Sequence, residues 1–240
     1  LILTLAFIMF TAAGYAQYMN VPDVFVLEKF KAGDNYSYRN GNNALTVTVT
    51  PNKSATPISN FITDILKSGD TVWFGTGNGL MRTTDNFSSF DDYFGIAPFG
   101  EDDIAGLTVF ANMVVASTAV SEEINGSSVP TGTGIKVSTD RGLNWNSYPQ
   151  PIDGNADSIV NYGSNRIYAL PVVVRQQNLS YDIAVTRAQN DPSNFVIWIC
   201  SFAGGLRRST DYGATWQRVL LPPDNLDSIT AVVLGGTSLF

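Results

Sequence analysis

The sequence predicts an all-β protein built from repeated four-stranded antiparallel units. Three observations point there. Turn formers are abundant, with 21 Gly and 11 Pro in 240 residues, while charged residues make up only 15 %. That balance suits many short strands joined by tight turns. Short apolar or alternating runs recur between Gly, Asn and Asp clusters, the pattern of strands rather than helices. Finally, one eight-residue hairpin motif occurs three times.

Ser138-Thr139-Asp140-Arg141-Gly142-Leu143-Asn144-Trp145 recurs as Ser209-Thr210-Asp211-Tyr212-Gly213-Ala214-Thr215-Trp216, with Ser, Thr, Asp, Gly and Trp all matched. A weaker copy spans 83–90, where Asp85 is kept, Phe87 replaces the Gly and Phe90 replaces the Trp. Gly79, Gly134 and Gly205 each stand six residues ahead of the Asp. Each residue type has a physical job. The Asp carboxylate can accept hydrogen bonds from the amides of its own turn. Gly reaches positive φ without steric cost. Trp buries a large apolar face.

These residues resemble the Asp-box, or bacterial neuraminidase repeat, of β-propellers. The resemblance implies four-stranded antiparallel blades in which the box staples the hairpin between the third and fourth strands, away from the ligand face. It assigns structural roles to Asp85, Ser138, Asp140, Gly142, Trp145, Ser209, Asp211, Gly213 and Trp216. Box spacings of 55 and 71 residues fit repeating blades with unequal loops.

In chain order, residues 1–10 are uncharged and almost wholly apolar, and Gly14 and Ala16 supply a small-x-small site. Residues 1–16 therefore read as a signal peptide lacking its initiator Met and basic start, cut before Gln17. The apolar run is too short for a transmembrane helix. The mature protein is read as exported: secreted, periplasmic or at the cell surface, with no membrane insertion. Residues 17–59 form an N-terminal segment with one strand at 45–50, which either completes the last blade or belongs to an incomplete first one.

Blades are counted over 60–240. The first has strands at 61–66, 71–76, 79–83 and 90–94. The second has 104–110, 112–119, 134–138 and 145–148, with a long polar loop at 121–133. The third has 181–186, 195–201, 206–209 and 216–221. Between the last two, 158–162 and 166–170 read as a hairpin, either an insertion or a blade without a box. Residues 229–240 align without a gap on 62–73, so a fourth blade begins and the ring is expected to be incomplete, truncated in its last blade.

Composition also excludes chemistry. With no His, neither Ser-His-Asp nor Cys-His catalysis nor His-ligated zinc can form within these residues. The single Cys200 reads as a buried small hydrophobe. A net charge of −7, with the Lys and Arg scattered, argues against nucleic acid as a partner. The pair Arg207-Arg208 reads as a solvated strand edge.

The weak candidates for a binding site are Asp91, Asp92, Glu101, Asp102 and Asp103, on the connection between the first two blades. A glycosidase needs two carboxyl groups facing each other across a cleft. Such a cluster could also hold a calcium ion, or simply form a solvated acidic loop; no other cofactor is suggested. Glu122-Glu123 reads as solvent-facing. No catalytic residue is assigned, because the Arg-Ile-Pro motif, arginine cluster and Tyr-Glu pair for which sialidases are known are not found here. Over 60–240 the chain resembles exported Asp-box propellers of the sortilin and photosystem II assembly-factor types. That resemblance implies a non-catalytic scaffold binding protein or glycan. The alternative is a secreted glycoside hydrolase, xyloglucanase-like or sialidase-like.

Overall fold

The computed structural model of the protein describes residues 37–39, 45–153, 158–162, 165–169, 171–189 and 191–219. The signal-peptide reading of 1–16 and the fourth-blade reading of 229–240 lie outside the described residues. Three antiparallel sheets stand side by side as propeller blades. The first runs, from the inner strand outward, β4 (Ile62–Ser68), β5 (Thr71–Thr76), β6 (Gly79–Thr83) and β7 (Phe90–Asp92). The second has β8 (Asp103–Phe110), β9 (Met113–Ile124), β10 (Ser127–Ser138) and β11 (Asn144–Tyr148). The third has β14 (Ser180–Arg187), β15 (Phe195–Ser201), β16 (Gly205–Ser209) and β17 (Thr215–Arg218). The inner strand β8 packs between β4 and β14, so among the described residues the blades form an open arc.

Each sheet carries a fifth, outermost strand drawn from the N-terminal segment. β1 (Ser37–Arg39) pairs with β17, β2 (Leu45–Thr48) with β11, and β3 (Asn52–Ser54) with β7. Among its described residues, the segment 17–59 thus carries three strands rather than one. Its strand at 45–48 extends the second blade, neither completing a last one nor starting a first. The physical reason is burial: Val47 and Val49 reach the core between the first two blades, and Val49 N–H donates to the Leu143 carbonyl at 3.0 Å. One strap therefore covers the outer edges of three blades, edges that would otherwise offer unpaired N–H and C=O groups.

The hairpin at β12 (Ser158–Tyr162) and β13 (Asn165–Ala169) is a separate two-stranded sheet. Since β14 packs directly on β8, the hairpin is an insertion and not a blade. Residues 121–133 are not a loop either. They continue β9 and β10 as a paired arm that turns at Asn125-Gly126, where φ is 52° and 78°. Two successive positive φ values are what a tight two-residue hairpin turn needs.

The three Asp turns share one geometry. Asp140 Oδ1 accepts from Ser138 Oγ at 2.9 Å and from the Asn144 amide at 2.8 Å, and Gly142 N–H donates to Ser138 Oγ at 2.8 Å. Asp211 repeats these contacts with Ser209, Thr215 and Gly213, each at 2.8 Å. Asp85 does the same with Thr83 Oγ1 and the Ser89 amide, both at 2.9 Å. Here Phe87 takes a φ of 66°, where the other copies place glycine. Glycine is needed at 142 for a second reason: a Cβ there would sit 2.7 Å from the Trp73 ring of the preceding blade.

Trp145 and Trp216 fill the two seams between blades. Trp145 packs edge-on against Phe99 with ring centroids 4.9 Å apart, among Trp73, Tyr93 and Ile104. Trp216 sits among Val137, Tyr148, Ile183 and Ile199. Burying such large side chains makes each a major apolar contributor to its seam.

Candidate functional site

Antiparallel connectivity puts the Asp turns at one end of the blades. Arg141 of one such turn donates its N–H and its Nε to Asn112, in the turn between β8 and β9, both at 2.8 Å. The opposite end carries the connections 77–78, 93–102, 125–126 and 202–204 and, among the described residues, 149–153 and 171–179. The acidic candidates and the long excursions all belong to this second end or the strands leading to it.

The structure disperses the five sequence candidates. Asp91 is buried on β7 and takes an ion pair from Lys53 of the strap and another from Arg82 Nε at 2.8 Å. Burial pushes its carboxyl up, but Lys53 and Arg82 together hold it below the usual range. Arg82 also lies over the Trp73 and Tyr93 rings and donates to the Arg141 carbonyl at 2.8 Å, so this cluster ties strap, first blade and second blade together. Asp92 accepts the Phe94 amide at 2.7 Å. Asp102 accepts Thr133 Oγ1 at 2.6 Å, anchoring the base of the β9–β10 arm. Asp103 is exposed, with its carboxyl raised by burial and by Asp102, and Glu101 is exposed too. No group of three or more His, Cys, Asp or Glu side chains gathers among the described residues.

Glu122 is half-buried rather than solvated, because Arg175 Nη2 at 3.2 Å and Gln176 Nε2 at 3.0 Å grip it from the returning connection. Gly132 N–H and the Arg175 carbonyl, and Gln177 N–H and the Pro130 carbonyl, close the same contact at 3.1 and 2.8 Å.

Sequence reasoning missed two constellations. One lies along the inner edge of the arc. Each inner strand has an irregularity at the same place, after Ile62, Ile104 and Ser180. The residues that follow are Thr63-Asp64, Ala105-Gly106 and Tyr181-Asp182. Thr63 Oγ1 donates to the Ile104 carbonyl at 2.9 Å and Asp64 Oδ2 accepts Leu107 N–H at 2.9 Å, satisfying edge groups of β8 that no strand pairs. Gly106 lets the third blade approach, since a Cβ there would stand 2.8 Å from the Tyr181 carbonyl. Burial raises the Asp64 carboxyl, Leu107 opposes that, and the charge of Asp182 adds to it. The shared Asp-Ile of 64–65 and 182–183 was the available signal.

The other lies in the seam between the second and third blades. Paired positions Met81 and Asp92, Lys136 and Ser147, and Arg207 and Arg218 are equivalent in the three sheets. Burial pushes Lys136 below its ordinary value, and its Nζ donates to Ser147 Oγ at 2.8 Å. Arg207 has no exposed surface, so it is not part of a solvated edge. Asp153, from the connection 149–179, takes Arg207 Nη2 at 2.8 Å, Arg218 Nη1 at 3.1 Å and the Val172 amide at 2.7 Å. Asp153 N–H returns a bond to the Val172 carbonyl at 2.7 Å. The insertion thus leaves and re-enters the fold through one tied neck.

No family model and no curated protein matches the chain. Several solved structures are similar to it, two of them as follows. An ancestral GH74 enzyme is 19 % identical over 71 % of this chain and 20 % of that one, with a TM-score of 0.45. A structure described as YCF48 bound to D1 peptide is 12 % identical over 75 % of this chain and 85 % of that one, with a TM-score of 0.21. The chain spans about a fifth of the length of the GH74 enzyme.

Proposed function

We propose that the protein is an exported, non-catalytic propeller scaffold whose repeated Asp turns are Asp-boxes, and that it binds protein or glycan at the end of the blades opposite those turns. The observation that carries this is how the acidic side chains are used. Asp91, Asp92, Asp102 and Asp153 are each engaged by ion pairs, amides or hydroxyls that hold strap, arm and insertion in place. A carboxylate locked in such bonds is poorly placed to shuttle a proton to a sugar. The β9–β10 arm and the connection 171–179 give the same end a varied relief, which suits recognition by loops on a rigid frame.

The test is turnover of xyloglucan oligosaccharides and fluorogenic sialosides by purified protein. The scaffold reading expects no product above a heat-killed control. Sustained hydrolysis that disappears in Asp102→Asn or Asp103→Asn overturns it.

A second reading, a glycoside hydrolase, has one specific observation behind it. Asp64 and Asp182 occupy equivalent places on inner strands flanking Gly106, and the raised carboxyl of Asp64 is the property a general acid needs. Under that reading hydrolysis is present in the wild type and lost in both Asp64→Asn and Asp182→Asn.

A further inference from the structure

We propose that the free edge of the β9–β10 arm is a docking strand for an extended basic segment of a partner protein, which adds to β9 as a further antiparallel strand. This deepens the binding-scaffold reading above and rests on it. The two edges of the arm differ. Along β10, Gly132 N–H donates to the Arg175 carbonyl and Gln177 N–H donates to the Pro130 carbonyl, so that edge is covered. Along β9, the partner strand β8 reaches only to Asp103, opposite Ala119, and no described strand accompanies 120–124 on that side.

The register shows which groups are left open. Pro130 stands opposite Ser121 and turns its carbonyl away from β9, the mark of a non-hydrogen-bonded pair. Ile124 and Ser127 flank the two-residue turn and form a hydrogen-bonded pair. By alternation, Ser121 and Glu123 direct their N–H and C=O groups away from β10, where no described residue meets them. Both residues are exposed. Proteins commonly blunt such an edge with Lys, Pro or a bulge, and 120–124 carries none of these.

Charge selects the occupant. Glu123 is exposed, as are Glu101 and Asp103 where β8 begins, and no cation among the described residues pairs with them. Glu122, on the other face of the arm, is already held by Arg175. A second copy of this chain would bring the same carboxylates to the edge and be repelled. A segment with Lys or Arg opposite Ser121 and Glu123, and apolar residues on the face of Val120 and Ile124, matches ladder, charge and pleat together.

Fluorescence anisotropy with the full chain and a labelled Lys-Val-Lys-Val-Lys-Val peptide tests this. Saturable binding is expected, weakened about tenfold or more in Ser121→Pro and in Glu123→Lys. Ser121→Pro removes only an outward N–H, so the β9–β10 ladder survives and the variant should melt as the wild type does. The same peptide N-methylated at its lysine amides keeps every charge and loses the ladder donors. Against wild-type protein it too should bind about tenfold more weakly or worse, a comparison that depends on no variant folding. Absence of saturable binding, or an N-methylated peptide that binds as tightly as its parent, overturns the docking edge. So does a concentration-dependent dimer of the wild type that Ser121→Pro abolishes, which would give the edge to a second copy. Those failures leave the hydrolysis assay without product, whereas failure of the scaffold reading shows as product there.

Discussion

The Asp64 carboxylate of one inner strand accepts the Leu107 N–H of the next at 2.9 Å. The innermost strand of a blade has a bare edge, and here the adjacent blade supplies the missing acceptor. Asp91 with Lys53, Asp102 with Thr133 and Asp153 with Arg207 follow the same logic elsewhere: an acid on one element closes a gap on another.

The Asp turns should differ in worth although they share a geometry. Asp211→Ala exposes partly buried turn amides to an apolar methyl and should cost about 1–3 kcal/mol. Asp85→Ala should cost less, because its turn is exposed and water can take over the bonds. Thermal melts of both variants check this; equal, negligible shifts would show that the carboxylates do not staple the hairpins.

The same carboxylates set an acid limit. Hydrogen bonds from the Ser89 side chain and amide hold Asp85 at about 2, below its ordinary 3.8. Burial raises Asp140, but the bonds from Asn144, Ser138 and Leu143 outweigh it and leave the group lowered. A carboxyl lowered on folding stabilises the fold above its unfolded value, and that contribution fades as pH falls through the folded one. Stability should therefore decline from about pH 4 towards pH 2. Asp140→Asn should flatten part of that decline in urea titrations at stepped pH.

How far the sequence could be read depended on the range of each interaction. The Asp140 and Asp211 turns were legible because every partner lies within four residues. The blade strands were legible from alternation and bounding glycines. The strap was not: Val47 pairs with Trp145, and a strand of four residues carries no address for a partner so distant. The arm at 121–133 was read as a loop because Ser121-Glu122-Glu123 shows no apolar face, although Asn125-Gly126 did announce its turn. Arg207 looked solvated because charge suggests surface, and only the fold brings Asp153 to it.

The strap should be worth measurable stability. Val49→Ala removes buried methyl groups and should cost about 1–2 kcal/mol. Lys53→Ala breaks a pair whose lysine is largely exposed and should cost under about 1 kcal/mol. Hydrogen exchange is the second check: the Val49 amide, bonded to Leu143, should be protected in the wild type and exchange faster in Val49→Ala. An unprotected amide in the wild type would mean that the strap does not lie on the second blade.

Asp153→Asn tests most directly the claim that this chain spends its acids on holding its parts together. The substitution keeps the shape but leaves Arg207 and Arg218 without their shared charge. Urea denaturation should show a loss of about 3–5 kcal/mol, the penalty for breaking a buried ion pair from one side. A loss below about 0.5 kcal/mol, the level of an ordinary surface substitution, would contradict the account.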